Sequence, residues 1–508
     1  MTSITQDEAR ADVFGDLPNS MYIGGAWTAA ACGASMESID PSTGKVWTQV
    51  PAGDVADVDR AVAAATAAME GEWGATQGPA RARLLNKLAD LVDRDADRLA
   101  AVESRDNGKL IRETRPAVGQ VAAWLRYFAG AADKIAGHTL PTGDPNYLVY
   151  TTREPVGVVG AIIPFNAPLM ITAMKVAPAL AAGCAVVIKT ADQTPTSTLL
   201  LAELVEEAGF PAGAFNVLTG PGVVVGDALA RHDGVAQVSF TGSTAVGTSV
   251  MKAAAEHVAP VTLELGGKSP NIVFADADLD AAVNGVIGGI FASTGQMCIA
   301  GGRLLVQETV HDELVDRLRA RAETILLGDP QDPASEMGPL VSEAQLNKVL
   351  DLVASGVDEG ATLVTGGTRA APHRVPDGYF VEPTIFAGVQ PHMRLAREEV
   401  FGPVLAVVPF RDEEHAIELG NDTEFGLAGG VWTKDVQRAH RMARRLRCGV
   451  VWINCYRNYS PHVPFGGMQQ SGFGRENGPD AVLDYTQVKS VWLELSGATR
   501  DPFTLPRS

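Results

Sequence analysis

Cysteine is scarce: five in 508 residues, at positions 32, 184, 298, 448 and 455, widely spaced and with no C-x-x-C pair. That excludes a disulfide framework and a thiolate zinc site, and fits a reducing, cytoplasmic compartment. Basic charge is also in deficit. Lys and Arg number 41 against 60 Asp and Glu, for a net charge of −19, and they are scattered along the chain. A protein that neutralises a phosphate backbone needs the reverse, so nucleic acid is excluded as a partner. Long apolar runs are missing too. The one charge-free stretch near the ~20 residues of a membrane span, Val156 to Met174, carries Pro164, Asn166 and Pro168 at its centre. A spanning helix would lose backbone hydrogen bonds there and bury an amide in lipid, so no membrane association is expected. The segment from Met1 to Pro18 lacks the basic-then-apolar order of a secretory signal and reads as a loose tail. What is present is foldable: 46% of residues are hydrophobic, and 53 Gly and 30 Pro occur without a G-X-Y period or a Pro-rich block. The length suits roughly two to four domains' worth of chain.

The texture changes along the chain. After a short strand pair around Tyr22 to Trp27, the region to about Gly137 reads as helical. Leu84, Leu85, Leu88, Leu91 and Val92 form one apolar stripe behind Pro79. From Val156 to Glu264, short apolar runs alternate with helical segments, the mark of a parallel sheet covered on both faces. Strands are expected at Gly157–Ile163, Ala185–Lys189, Phe215–Leu218, Gln237–Phe240 and Val261–Glu264. Helices are expected near Leu169–Ala182, Pro195–Ala208, Gly222–Arg231 and Thr244–His257, with Gly183 and Gly209 as terminating glycines. A second α/β region follows, from Asn271–Phe274 and a helix over Leu279–Ala292 to about Tyr485. Within it Arg369–Gly378 reads as an exposed connection, and Gln487–Leu495 as a late strand able to pair across a subunit interface.

In such a sheet ligands lie beyond the carboxyl ends of the strands, which makes those positions the candidates for chemistry. The first strand runs into Pro164-Phe-Asn166, where the Asn amide is an oxyanion donor or, equally, a turn residue. The second ends at Lys189 and Asp192, a candidate ribose site or a surface ion pair. A carboxylate there repels a 2′-phosphate and favours NAD over NADP. The fourth is followed by Gly242, Ser243 and a helix start, suited to a pyrophosphate. The fifth ends at Glu264 before Leu265 and two glycines, in apolar surroundings that raise a carboxyl toward general-base range. Most cysteines in such surroundings are inert core residues, but Cys298 sits in the Gly-bracketed loop Ser293 to Gly302, a place where a nucleophile can be exposed.

Taken together and in order, these motifs resemble the aldehyde dehydrogenase superfamily from about Tyr22 to Trp492. The matching runs are Pro164-Phe-Asn166, Lys189 to Pro195, Phe240 to Gly247, Leu263 to Lys268, Gly295 to Cys298, Glu398 to Pro403, Pro464 to Gly467 and Ser471 to Glu476. The resemblance implies an α/β fold with a Rossmann-type NAD domain (1–136 and 154–265), an α/β catalytic domain (266–475) and a small oligomerisation arm (137–153 and 476–508). It implies NAD as cofactor, with NADP possible, no metal, a small aldehyde substrate, and a homodimer or homotetramer.

It also implies roles. Cys298 attacks the aldehyde; Asn166 and the Cys298 N–H hold the oxyanion; Glu264 activates water on the resulting thioester. The cofactor is met by Ile163, Phe165, Lys189, Asp192, Gly222, Gly242, Ser243, Leu265, Glu399 and Phe401. Phe165 replaces a common Trp, Asp192 a common Glu, and Gln469 a common Lys. Glu264 favours hydrolysis over transfer of the acyl group to coenzyme A; the acylating enzyme and a non-catalytic dinucleotide-binding protein are the alternatives. Ala167, Met170, Met174, Met297, Ile299, Tyr459 and Phe465 line the matching substrate tunnel or simply pack its wall. They suit a medium-sized aliphatic or aromatic aldehyde, while Arg457 and His462 near the mouth suit a polar or anionic tail.

Overall fold

The structure, a computed structural model, describes residues 14–497, 501 and 503. The first thirteen residues of the expected tail lie outside these. Helices α1 (Val55–Glu70), α2 (Gly78–Arg94), α3 (Ala96–Asn107) and α4 (Ile111–Ala129) form the N-terminal layer. α1 starts on a capping box in which Asp54 accepts from the Ala56 N–H and Asp57 accepts from the Asp54 N–H. The α2 stripe buries Leu85, Leu88, Leu91 and Val92, with Leu84 half-buried beside them. A hairpin, Ser35–Asp40 against Lys45–Pro51, was not expected: its ladder shifts register at Ser38/Ile39, which breaks the alternation a sequence reading depends on.

The first sheet contains β1 (Met21–Ile23), β2 (Ala26–Thr28), β3 (Val158–Ile162), β4 (Ala185–Lys189), β5 (Phe215–Leu218), β6 (Gln237–Thr241) and β7 (Val261–Glu264). Their spatial order is β2-β1-β5-β4-β3-β6-β7, and β3 to β7 run parallel. The chain steps outward from β3 to β5, then returns to place β6 on the other side of β3. That reversal opens a crevice beyond the carboxyl ends of β3 and β6. Helices α5 (Pro168–Ala182), α6 (Thr196–Ala208) and α7 (Thr244–Ala255) cover the sheet, and α5 and α6 stop at left-handed Gly183 and Gly209. The helix expected at Gly222–Arg231 is instead a wide π-type turn, Gly222–Gly226, followed by a short α-helix, Asp227–Arg231. Two glycines around three β-branched valines explain why the first turn is not a regular α-helix.

The second sheet has β8 (Pro270–Val273), β9 (Arg303–Gln307), β10 (Thr362–Thr365), β11 (Thr384–Ala387), β12 (Val404–Phe410), β13 (Ala428–Trp432) and β14 (Val450–Ile453), in the order β10-β11-β12-β9-β8-β13-β14. Helix α8 (Leu279–Ile290) leads from it toward Cys298. Arg369–Ala370, read as part of an open connection, pairs with Phe380–Val381. Gly472–Phe473, placed by sequence with the second region, instead adds antiparallel to β7 of the first sheet. A third sheet joins Thr139–Leu140, Tyr147–Pro155 and Thr486–Glu494. The late strand therefore pairs within its own chain, from Thr486 opposite Pro155 to Glu494 opposite Tyr147, and its outer edge stays open. No helix among the described residues is long and apolar enough to cross a membrane.

Candidate active site

The crevice between β3 and β6 opens into a cleft of about 350 Å³, within the usual range of ligand pockets. Every residue expected to meet the dinucleotide lines it, and so do Asn166, Glu264 and Cys298. At one end Lys189, buried at the tip of β4, is ion-paired with Asp192, whose other oxygen accepts from the Gly222 N–H at 3.1 Å. Burial holds the Lys189 ammonium below its ordinary range, and Asp192 partly offsets this. Between β6 and α7, Ser243 caps the helix by accepting from the Val246 N–H, so the positive end of α7 faces the cleft. At the other end Phe165 and Phe401 meet edge to face, with centroids 5.5 Å apart. Phe401 is held at φ 56, and Gln345 Nε2 donates to the carbonyls of Val400 and Phe401. Glu399 accepts from the Gly267 N–H at 3.1 Å and is raised to about 7 by burial.

Cys298 follows a strained turn. Ser293, Thr294 and Gly295 all have positive φ, and a Cβ on Gly295 would lie 2.1 Å from the Gly402 carbonyl oxygen. Only glycine lets the loop pass this close to the segment carrying Glu399 and Phe401. The turn leaves Cys298 partly exposed to the cleft. The thiol is pushed up to about 12, first by burial and then by the nearby carboxylates Glu399 and Glu264. Asn166 is buried on the loop before α5, and its Nδ2 donates to the Gln296 carbonyl at 2.9 Å. That bond uses one of two amide hydrogens and ties the donor to the cysteine loop.

Glu264 ends β7 at 3% exposure, and neither carboxylate oxygen has a hydrogen-bond partner among the described residues. Burial raises it well above the usual carboxyl range; Glu476 adds to the rise, while Lys175 and Arg475 oppose it. A Cβ on Gly466 would come 2.6 Å from its Oε1 and 2.8 Å from the Gly474 carbonyl oxygen, and the backbone contact is the one that requires glycine there. Lys175 and Glu476 were missed by the sequence reading. They form a buried ion pair, and Lys175 Nζ also donates to Ser239 Oγ at 2.9 Å. The available signal was Lys175 itself, the one charge in the otherwise apolar helix α5. Gln345 and Lys348, which line the cleft, were also missed.

Met297, Ile299, Tyr459 and Phe465 gather around Cys298 in one apolar cluster with Trp452 and Leu427. Tyr459 also packs on Trp124 of α4, centroids 6.1 Å apart. Met170 and Met174 are not in that cluster; they are buried in the main core, with Ala167 half-buried against the same core.

Known proteins resemble this chain over nearly its whole length. Residues 27–491 match the model of the aldehyde dehydrogenase family. The chain is 47% identical over 484 residues to an aldehyde dehydrogenase of Emericella nidulans, covering 95% of this chain and 96% of that protein. It is 46% identical over 491 residues to (Z)-2-((N-methylformamido)methylene)-5-hydroxybutyrolactone dehydrogenase of Acinetobacter baylyi, covering 96% and 99%. Among solved structures, betaine aldehyde dehydrogenase of Staphylococcus aureus in complex with NAD+ superposes with a TM-score of 0.96 at 38% identity, covering 97% of this chain and 98% of that one. With its sheet order, its cysteine loop and these similarities across nearly the whole length, the chain belongs to the aldehyde dehydrogenase family.

Proposed function

We infer that the protein oxidises an aldehyde to its carboxylic acid with NAD as acceptor, through a thioester on Cys298 that water releases with Glu264 as general base. The observation that carries this is the joint placement of Cys298, Asn166 and Glu264 in the cleft that the β3/β6 crossover opens. The residues fit the dinucleotide. Asp192 keeps 39% of its side chain exposed at the cleft and suits ribose hydroxyls, the α7 N-terminus suits a pyrophosphate, and Glu399 with Phe401 suits the nicotinamide end. When bound, NAD would supply the hydride acceptor and a positive ring charge.

Cys298 gives up its thiol proton to water, its Sγ adds to the carbonyl carbon as the thiolate, and the oxygen gathers negative charge that the Asn166 amide and the Cys298 N–H receive. Asn166 is anchored for this by its bond to Gln296. After hydride loss the thioester remains on Cys298. Glu264, its oxygens unpaired and its carboxyl raised, takes a proton from water as the water attacks. The thiolate leaves, and the acid forms. Asp192 favours NAD over NADP by charge, and its bond to the Gly222 N–H fixes it at that site. The proposed domain division puts the dinucleotide on the first sheet, the nucleophile on the second and subunit contacts on the third. The free cysteines suit a reducing cytoplasm. Incubation with an aldehyde panel tests the reaction: NADH and carboxylic acid should form without coenzyme A, and Cys298→Ala should abolish both while NAD still binds. A requirement for coenzyme A would replace hydrolysis with acyl transfer.

A further inference from the structure

Arg457 lies beyond β14 on the loop that also carries Tyr459, at φ 64. Its Nη1 donates to the Gly288 carbonyl at 2.7 Å, and its Nη2 lies 3.4 Å from Ser293 Oγ and 3.6 Å from Met297 Sδ. Met297 immediately precedes the nucleophile, and Tyr459 packs with Met297 and Cys298 in the apolar cluster. The guanidinium is thus held at the rim of that cluster. It is half-buried, and among the described residues no carboxylate comes within 4.0 Å of it. Glu113 reaches the same Ser293, one of its oxygens accepting from the Ser293 N–H and hydroxyl at 2.8 and 3.1 Å. A fork of five donors with one strong bond made has capacity left for an anion.

We propose that Arg457 is a specificity residue whose guanidinium receives a carboxylate at the far end of the substrate, making aldehydes that carry an acid group, ω-oxo acids, the preferred class. Met297, Ile299, Tyr459 and Phe465 supply the apolar wall that a methylene linker needs between the carbonyl at Cys298 and the charge at Arg457. This rests on aldehyde oxidation at Cys298 as described above.

The experiment compares hexanal with 6-oxohexanoate, equal in chain length and differing in the terminal charge, in wild type, Arg457→Met and Arg457→Lys. Wild type should prefer 6-oxohexanoate in kcat/KM by at least about tenfold, the worth of one charge-assisted hydrogen bond. Arg457→Met should lose that preference through KM, with hexanal oxidation within about twofold of wild type, and Arg457→Lys should recover part of it. Equal kcat/KM for the two aldehydes in wild type overturns the proposal even if neither variant folds. A parallel fall on both substrates in Arg457→Met overturns it in favour of a purely structural role. NADH from neither aldehyde would instead overturn the reaction itself, and the proposal with it.

Discussion

At Glu264, burial does more than neighbouring charge. Loss of water is the first cause of its raised carboxyl, Glu476 the second, and Lys175 draws it back. A raised acid is protonated, and so useless as a base, at pH values where an ordinary carboxylate is already ionised. Deacylation should therefore climb as pH rises through a point above the usual carboxyl range. Glu264→Gln should keep a single burst of NADH, lose ~10²–10⁴-fold in steady-state turnover and lose that pH dependence. Stopped-flow traces with pH-resolved kcat check it, and an unchanged steady state would contradict the assignment. Cys298 follows the same logic. Its thiol, pushed up to about 12, should alkylate slowly at neutral pH and faster once a cationic ring lies beside it. Both residues were visible in the sequence as a strand-end Glu and a loop Cys. Their electrostatics were only partly so, because Lys175 and Glu476 lie some three hundred positions apart and meet only after folding.

Among elements, the cysteine loop depends most on backbone shape. Gly295 has φ 70, and its missing Cβ is the space the Gly402 carbonyl occupies. Gly295→Ala should cost about 1–2 kcal/mol from the left-handed conformation alone, with further cost from displacing Gly402. The displacement acts on the position of Cys298, so kcat should fall by ~10²-fold for a shift near 1 Å. Thermal unfolding and kcat measured together check this, and a variant with wild-type values of both would refute it. Strands β4, β5 and β7 were legible to the residue because apolar runs with sharp polar ends fix their limits. The hairpin at Ser35–Asp40 and the wide turn at Gly222–Gly226 were not, since a register shift and a non-α turn leave no periodic trace.

For the whole molecule, the third sheet projects an open nine-residue edge, Thr486–Glu494, together with exposed Tyr147, Leu148, Tyr150, Val488, Trp492 and Leu493. An open edge with exposed aromatic and aliphatic side chains is a pairing surface. The wild type should sediment as more than one chain per particle, and Val488→Lys with Trp492→Lys should shift it toward the monomer. A monomeric wild type in analytical ultracentrifugation would remove the proposed assembly. The two main sheets are joined by more than a linker: Gly472–Phe473 leaves the second region to add to β7, and Phe465 pairs with Glu476 nearby. That crossing places Glu264 between residues of both regions.

By itself the sequence determined most of the element types of the first parallel sheet and singled out Asn166, Glu264 and Cys298 as candidates for amide donor, base and nucleophile. Those are local properties, written in the alternation of apolar runs, glycine turns and helix starts. Tertiary structure alone decided that Asn166 is anchored to the cysteine loop, that a buried Lys175–Glu476 pair stands beside Glu264, and that Arg457 meets Met297 with no ion-pair partner among the described residues. Each is a contact between segments far apart in the chain, and charge and burial at a point in space depend on every segment that converges there.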